Sequence, residues 1–361
     1  MAETLTVPKP RAAVTRMKEY HPPLGNRSGL RLDFNENTVA CSPRVLERLQ
    51  AITAAELTRY PERAVVEQQV AEHLGVRAEE VLLTNGVDEA IHVLCQAYLD
   101  RGDAMLLPVP TYTMYEVYAS GTEARVDAVP AAKDFAFPID TLLGAIRPET
   151  RLIAITNPNS PTGASVTREH ILKVAESAPG AVVLVDEAYF HFFGETVMDC
   201  IGKLPNLVVA RTFSKAYGLA GLRIGALVAP KETMHWLRRV ISPYSVNHLA
   251  LACIPVALAD DAYLNWYVCE VQAARAELQT TLAALRVPYW PSAGNFVLAS
   301  IGATHREFVE AMRRRGVLTR DRSSDPGCEG CVRITVGTRE QMETAKEILA
   351  ASLEEIRWQP A

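Results

Sequence analysis

Short, almost continuous apolar runs alternate with helix-length amphipathic segments through the middle of the chain. A run that is apolar at nearly every position predicts a strand buried on both faces of a parallel sheet. Around the runs, Ala64–Leu74 and Asp88–Tyr98 repeat apolar residues at helical spacing. The alternation predicts an α/β fold, with a mostly parallel central sheet flanked by helices in one large domain. The six predicted strands are Val81–Leu83, Ala104–Leu107, Leu152–Ile155, Val182–Val185, Leu207–Ala210 and Gly225–Val228.

The pattern changes after a long helical stretch at Asp261–Leu285. Shorter strand-like and helix-like segments follow, and they predict a smaller α+β domain. We predict a large domain at 46–270 and a small domain built from both chain ends, 1–45 with 271–361. The segments of the smaller domain are Phe296–Ala299, Phe308–Arg314, Gly316–Thr319, Val332–Val336 and Arg339–Leu353.

The charge balance argues against nucleic acid and membrane partners. The 361 residues contain 37 Lys and Arg against 42 Asp and Glu, a net charge of −5, whereas such partners favour a basic face. No apolar stretch approaches the ~18 residues of a membrane span, and a signal-peptide core is absent, so we expect a cytoplasmic protein. Cys328 and Cys331 have the spacing of one ligand pair of a zinc site. The sequence has no second Cys or His pair at a matching spacing, so no metal is expected.

Polar residues cluster in four stretches that follow predicted strands. The stretches are Thr84–Glu89, Asn157–Gly163, Val185–Tyr189 and Arg211–Gly225. Open α/β sheets bind ligands outside the carboxyl ends of their strands. We therefore expect the four stretches to meet in one ligand site.

The residue types in these stretches point to an anionic, ring-bearing ligand. A helix that opens near Asp88 suits a phosphate, although Asp88 also suits an ordinary helix cap. Asp186 ends a buried strand and needs a cation, such as a protonated heterocycle nitrogen. Lys215 lies in a partly apolar loop that would lower its pKa and make its amine nucleophilic, although a loop lysine is commonly just solvated. Ser214 and Arg223 flank it and could hold a phosphate.

The order of these motifs resembles that of the fold-type I pyridoxal-phosphate (PLP) aminotransferases of class I and II. The most similar members are the histidinol-phosphate aminotransferases, and the resemblance extends from about Leu32 to Glu340. It is carried by Asp-Glu-Ala-Tyr at 186–189, Thr-Phe-Ser-Lys-Ala-Tyr-Gly-Leu-Ala-Gly-Leu-Arg-Ile-Gly at 212–225 and Val-Arg-Ile-Thr-Val-Gly-Thr-Arg-Glu at 332–340. It implies that the chain is a PLP-dependent enzyme.

The resemblance also implies roles around the cofactor ring. Lys215 would form the Schiff base and then carry the proton between substrate and cofactor. Asp186 would pair with the pyridinium nitrogen, so that the ring accepts electrons. Tyr189 would hydrogen-bond the ring 3-oxygen, and Tyr112 would stack on the ring face.

A second group of residues would hold the cofactor phosphate. Val87 and Asp88 would contribute from the helix start, together with Ser214 and Arg223. Tyr60 matches a tyrosine that this family lends to the phosphate site of the neighbouring subunit, which implies a homodimer with shared active sites. The alternative for Tyr60 is a surface turn before Pro61.

Substrate binding is implied for two arginines near the C-terminus. Arg333 and Arg320 match the pair that binds the substrate phosphate in histidinol-phosphate aminotransferases, together with an N-terminal tyrosine, for which Tyr20 is the candidate. A guanidinium suits a carboxylate equally well, and Arg322 competes with Arg320 for this role. Asn37 lies in the loop that covers the substrate.

Two motifs depart from the family pattern. An asparagine usually precedes Pro-Thr-Gly and bonds the ring oxygen, but here the residue is Ser160. Either the Ser160 hydroxyl serves, or Asn157 or Asn159 reaches the ring. The usual Asn-Glu-Asn-Pro-x-Gly is replaced by Asn35-Glu-Asn37-Thr38-Val-Ala40, which affects the substrate loop and leaves the cofactor chemistry untouched.

The implied reaction is amino transfer from a donor to 2-oxoglutarate in two half-reactions. The expected donor is histidinol phosphate, and an aromatic amino acid is the nearest alternative. A PLP-dependent decarboxylase that acts on threonine phosphate is a further alternative, because such enzymes share the fold and must also bind a phosphate.

Overall fold

A computed structural model describes residues 8–19, 21, 25 and 27–360 of the chain. Most strands in these residues are short, and the longest ones belong to a single large sheet. The strands are β1 Leu30–Arg31, β2 Val81–Thr84, β3 Ala104–Val109, β4 Arg125–Pro130, β5 Thr150–Thr156, β6 Val182–Asp186, β7 Leu207–Thr212, β8 Gly225–Val228, β9 Tyr289–Trp290, β10 Phe296–Ser300, β11 Val317–Leu318, β12 Arg320–Asp321 and β13 Cys331–Thr335.

Helices separate nearly all the strands of the large sheet. Several begin at side-chain caps, as at Thr167, whose hydroxyl accepts the His170 N–H at 3.3 Å. The helices are α1 Ala12–Arg16, α2 Pro43–Gln50, α3 Ala54–Leu57, α4 Ala64–Leu74, α5 Gly86–Tyr98, α6 Met114–Gly121, α7 Ile139–Ala145, α8 Arg168–Ser177, α9 Lys231–Val240, α10 His248–Leu258, α11 Asp261–Ala284, α12 His305–Arg314 and α13 Arg339–Glu355.

The large sheet has seven strands in the order β2-β8-β7-β6-β5-β3-β4. Every pairing is parallel except those of β8, which is antiparallel to β2 and β7. All six predicted strands belong to this sheet, and the predicted α/β fold is confirmed. The sequence pattern missed β4, because this edge strand is half exposed and lacks the continuous apolar run of its neighbours.

Both faces of the sheet are buried, and successive strand residues alternate between two apolar layers. In β6, Val183 and Val185 lie in the layer that contains α8 and α10, whereas Leu184 lies in the layer that contains α5 and α9. This arrangement explains why the strand sequences are apolar at every position. Within the described part of the chain, no helix combines the length and apolar character needed to cross a membrane.

A second sheet follows the long helix α11. It is antiparallel, with the order β12-β13-β10-β9, and β11 pairs instead with β1 in the N-terminal segment. Helix α1 of the N-terminal segment lies against α6, which flanks the large sheet, and Arg11 donates there to the Gly121 carbonyl at 2.6 Å. The domain bounds 46–270 and 1–45 with 271–361 stay a prediction.

Candidate active site

The four polar stretches do meet at one edge of the large sheet. Thr84, Thr156, Asp186 and Thr212 end β2, β5, β6 and β7 at this edge. Strand β8 runs in the opposite direction and begins at Gly225, which lies opposite both Thr84 and Thr212. The loop before β8 therefore reaches the same edge, and it carries Lys215 and Arg223.

Asp186 is a buried carboxylate at the end of β6. It accepts hydrogen bonds from the Tyr115 hydroxyl at 2.7 Å and from the Ala188 N–H at 3.0 Å. Burial raises the pKa of Asp186 from its ordinary 3.8 to about 6, although these two hydrogen bonds oppose the change. Neither of its two hydrogen-bond partners is a cation, so a positively charged ligand atom would be strongly favoured beside it.

Tyr115 is a residue of this site that sequence reasoning missed. It is fully buried in α6, and Thr156 donates to its hydroxyl at 3.3 Å while the hydroxyl donates to Asp186. The chain Thr156–Tyr115–Asp186 fixes the direction of the carboxylate. The only signal in the sequence was proximity, because Tyr115 lies three residues after Tyr112.

Lys215 is half-buried in the loop between β7 and β8. Its amine donates to the Phe34 carbonyl at 3.0 Å and lies 5.8 Å from the centre of the Tyr189 ring. The N-terminal segment thus reaches the lysine although the two residues are far apart in sequence. A neutral amine at this position could attack an aldehyde held at the edge of the sheet.

Tyr189 lies between the lysine and the second sheet. Its hydroxyl accepts a hydrogen bond from the Asn35 amide at 2.9 Å. Burial raises the pKa of Tyr189, but the cations of Lys215 and Arg333 and the Asn35 hydrogen bond outweigh it, so the net pKa is lowered. Asn35 is buried with a left-handed φ of 54°, and Thr335 bonds both its N–H and its side chain.

A cradle for an anion forms where α5 begins. Arg223 pairs with the Asp88 carboxylate at 2.9 Å, and the Tyr112 hydroxyl donates to the same carboxylate at 2.8 Å. A Cβ on Gly86 would lie 2.7 Å from the Arg223 guanidinium, so only glycine lets the guanidinium pack this close to the helix start. Since a carboxylate does not donate, Val87 and Asp88 would bind an anion through the backbone N–H groups of the helix start.

Arg333 is buried on β13 and joins the second sheet to the first. It donates to the Ser160 hydroxyl at 2.9 Å and to the Asp33 carbonyl at 2.8 Å, while its Nε has no hydrogen-bond partner among the described residues. Burial and the neighbouring cations Arg322 and Arg320 lower the pKa of Arg333 to about 10. Arg320 lies opposite Arg333 in the strand pairing.

Three predicted site residues have other tasks in the structure. The Asn157 amide is bonded on both sides to the backbone of Val166, at 3.1 and 2.9 Å, and its assignment to the ring oxygen stays a prediction. Asn159 is likewise bonded to the Pro110 carbonyl and Thr162. Asn37 donates to the Ala216 carbonyl at 3.1 Å and thereby holds the substrate loop beside Lys215.

The remaining predicted residues lie around this centre or outside it. Ser214 is buried, and its N–H donates to Thr212 at 3.1 Å. Tyr60 is 77% exposed and stacks on Tyr244, with 4.5 Å between ring centres. Tyr20 lies outside the described residues.

A buried ion pair supports the site from behind. Arg211 donates to the Glu187 carboxylate at 2.7 Å and lies 3.5 Å over the Phe190 ring. Glu187 also accepts from Thr196 and from the Val197 N–H. These hydrogen bonds occupy the Glu187 carboxylate. Asp186 is therefore the carboxylate of the two that can accept a bond from a ligand.

The fold and the site define an α/β enzyme in which a lysine amine, a buried aspartate and arginines meet at the carboxyl edge of one sheet. The chain belongs to the aminotransferase class I and II family, whose family model matches residues 27–349. As a member of this family it is an aminotransferase, which acts on an amino donor and an oxo-acid acceptor.

Known proteins resemble the chain over most of its length. It is 33% identical to the histidinol-phosphate aminotransferase of Thermoanaerobacter sp. (strain X514), over 90% of this chain and 92% of the relative. The structure of the Sinorhizobium meliloti histidinol-phosphate aminotransferase with pyridoxal-5′-phosphate matches with a TM-score of 0.88 at 22% identity, over 97% and 99% of the two chains. L-Threonine-O-3-phosphate decarboxylase from Porphyromonas gingivalis matches with a TM-score of 0.80 at 27% identity, over 90% and 99%.

Proposed function

We propose that the chain transfers the amino group of histidinol phosphate to 2-oxoglutarate, with PLP bound at Lys215. The observation that carries the proposal is the arginine pair, Arg320 and Arg333, on the strands that face the lysine site. Arg333 is buried and keeps an unpartnered Nε among the described residues, so the pair favours a ligand with a strongly charged anion. The histidinol-phosphate aminotransferase relatives support the same donor.

The residues present fit PLP. Asp186 is a buried carboxylate without a bonded cation, which suits a protonated ring nitrogen. The Arg223 guanidinium, which packs closely against Gly86 where α5 begins, suits the phosphate. When bound, PLP supplies an aldehyde that takes up the amino group and a ring that accepts electrons from the donor carbon.

Each residue then has a task of its own. Lys215 would bind the aldehyde carbon of the cofactor and later move a proton at the donor carbon. Its amine, which lies 5.8 Å from the centre of the Tyr189 ring, would act as the base in this second step. Asp186, directed by Tyr115, would keep the ring nitrogen protonated. Tyr189 would donate a hydrogen bond to the ring oxygen of the cofactor. The Ser160 hydroxyl, which accepts a hydrogen bond from Arg333, would support this contact.

The phosphate of the cofactor would be held by Arg223, Ser214 and the backbone N–H groups of Val87 and Asp88. Arg223 is also paired with the Asp88 carboxylate. Tyr112, bonded to the same carboxylate, would cover the ring face.

We further propose a homodimer in which Tyr60 completes the partner's phosphate site. Tyr60, Leu57 and Val65 are 77%, 61% and 64% exposed, and an exposed apolar patch of this kind indicates an interface. Lys215→Ala and Tyr60→Ala homodimers should each be impaired at limiting PLP. Subunit exchange between them should restore about one quarter of the wild-type sites, since each mixed dimer has one intact site. If subunit exchange restored no activity, the proposal of shared active sites would be contradicted.

A panel of amino donors tests the substrate. We expect histidinol phosphate to exceed histidinol, the matched donor without a phosphate, by about 10²-fold or more in kcat/KM, since loss of the anion leaves the buried Arg333 without a charged partner. The measurement is glutamate formed from 2-oxoglutarate, with phenylalanine, tyrosine and threonine phosphate as competing donors.

Two outcomes would overturn the substrate assignment. Phenylalanine or tyrosine as the best donor would make the chain an aromatic aminotransferase. Release of carbon dioxide from threonine phosphate without glutamate would favour the decarboxylase alternative, which the similarity to the Porphyromonas gingivalis enzyme motivates.

A further inference from the structure

The pairing of β12 with β13 brings a third arginine to the arginine pair. Arg320 lies opposite Arg333, and the Arg322 N–H continues the ladder by donating to the Cys331 carbonyl at 2.9 Å. Because side chains alternate along a strand, Arg322 lies on the same face as Arg320 and Arg333. Asp321 lies on the other face, where it contacts His305 of α12 at 3.1 Å.

Arg322 and its counterion are both partly buried. Its side chain is 12% exposed and forms an ion pair with Asp325, whose side chain is 16% exposed. The Arg322 Nε is buried and has no hydrogen-bond partner among the described residues, as is also true of the Arg333 Nε. Two guanidinium groups on one face therefore both retain a free donor.

The three arginines are close enough to act on one another. The pKa of Arg333 is lowered first by burial and then by the cations of Arg322 and Arg320. Burial raises the pKa of Asp325, while Arg322, Arg333 and Arg320 each oppose that change. Asp325 thus lies in the field of all three cations, and a bound anion would relieve their mutual repulsion.

We propose that Arg322, held in place by Asp325, is a third cation of the substrate anion site and selects a doubly charged phosphate over a singly charged carboxylate. This inference rests on the proposed function, because histidinol phosphate has no carboxylate and its phosphate would take the place of the acceptor's carboxylate. One guanidinium fork satisfies the two oxygens of a carboxylate, whereas a phosphate has three terminal oxygens and a larger charge. Arg322 therefore contributes much more to the half-reaction with histidinol phosphate than to the half-reaction with 2-oxoglutarate.

Arg322→Gln tests this within a single enzyme. We expect KM for histidinol phosphate to rise about tenfold or more, the loss expected for a hydrogen bond between charged groups, and kcat to change little, since the phosphate is held alike in ground and transition states. KM for 2-oxoglutarate should change less than about threefold. A purely structural role would impair both half-reactions equally, and that result would overturn the proposal. Arg313→Gln, at an exposed position on α12, is the matched control.

Inhibition by inorganic phosphate separates this inference from the proposed function. In Arg322→Gln, the inhibition constant of phosphate against 2-oxoglutarate should rise about tenfold, and that of acetate should stay unchanged. If histidinol phosphate is not a substrate but Arg322→Gln still weakens inhibition by phosphate and not by acetate, only the proposed function fails. An unchanged constant for phosphate would overturn the role of Arg322. If Arg322→Gln does not fold, Arg322→Lys, which keeps the charge and loses the fork, should still weaken phosphate alone.

Discussion

Replacing Lys215 with alanine is expected to lower kcat/KM for amino transfer at least about 10⁴-fold, because in the proposed reaction this one side chain would both hold the cofactor and move the proton. The amine lies at the edge where β7 ends, 3.0 Å from the Phe34 carbonyl. No hydroxyl or amide at this position could replace a nucleophilic amine. The loss should appear in kcat with every amino donor, as measured by glutamate formation.

Two further variants separate the lysine's chemistry from its charge. Lys215→Arg keeps a positive charge but has no neutral amine, since a guanidinium stays protonated, and it should be as inactive as the alanine variant. Lys203→Ala, at an exposed position paired with Asp199, should retain full activity. Retention of more than about one per cent of the activity by Lys215→Ala would refute the assignment of Lys215.

The central sheet could be predicted from sequence because its strands are buried on both faces. Continuous apolar runs such as Leu207–Ala210 leave few alternatives once helical segments separate them. Strand β4 was missed for the same physical reason, since an edge strand exposes polar side chains such as Arg125. The short pairing of β1 with β11 joins segments far apart in sequence, and no local pattern reports such a contact.

The candidate site was predictable only where its residues belong to short local motifs. Asp186 and Lys215 lie in such motifs, but the partners that orient them come from elsewhere in the chain. Tyr115 reaches Asp186 across 71 residues and Asn35 reaches Tyr189 across 154. A local motif also fails to report contacts within its own segment: the position of Asn157 suggests a ligand contact, whereas its amide is bonded to the Val166 backbone nine residues on.

Replacing Asp186 with asparagine is expected to lower kcat about 10³-fold while the protein still folds. Asparagine has nearly the same shape but no charge, so the ring nitrogen would lose the anion that keeps it protonated. Tyr115→Phe should have a smaller effect, because it removes one hydrogen bond and leaves the carboxylate in place. Equal activity of Asp186→Asn and the wild type in single-turnover amino transfer would contradict the role of Asp186.

The same variant should change how the cofactor-free protein responds to pH. The pKa of Asp186 is raised from 3.8 to about 6 in the folded chain, so folding is favoured while the carboxyl is protonated, and this stability is lost as the pH rises through about 6. Between about pH 4 and pH 8 the wild type should lose on the order of 2–3 kcal/mol relative to Asp186→Asn in urea unfolding. Added PLP should reverse the loss in the wild type alone, because a cationic ring nitrogen offsets the buried charge. Parallel pH profiles for the two cofactor-free proteins would show that Asp186 is not a buried, unpaired carboxylate.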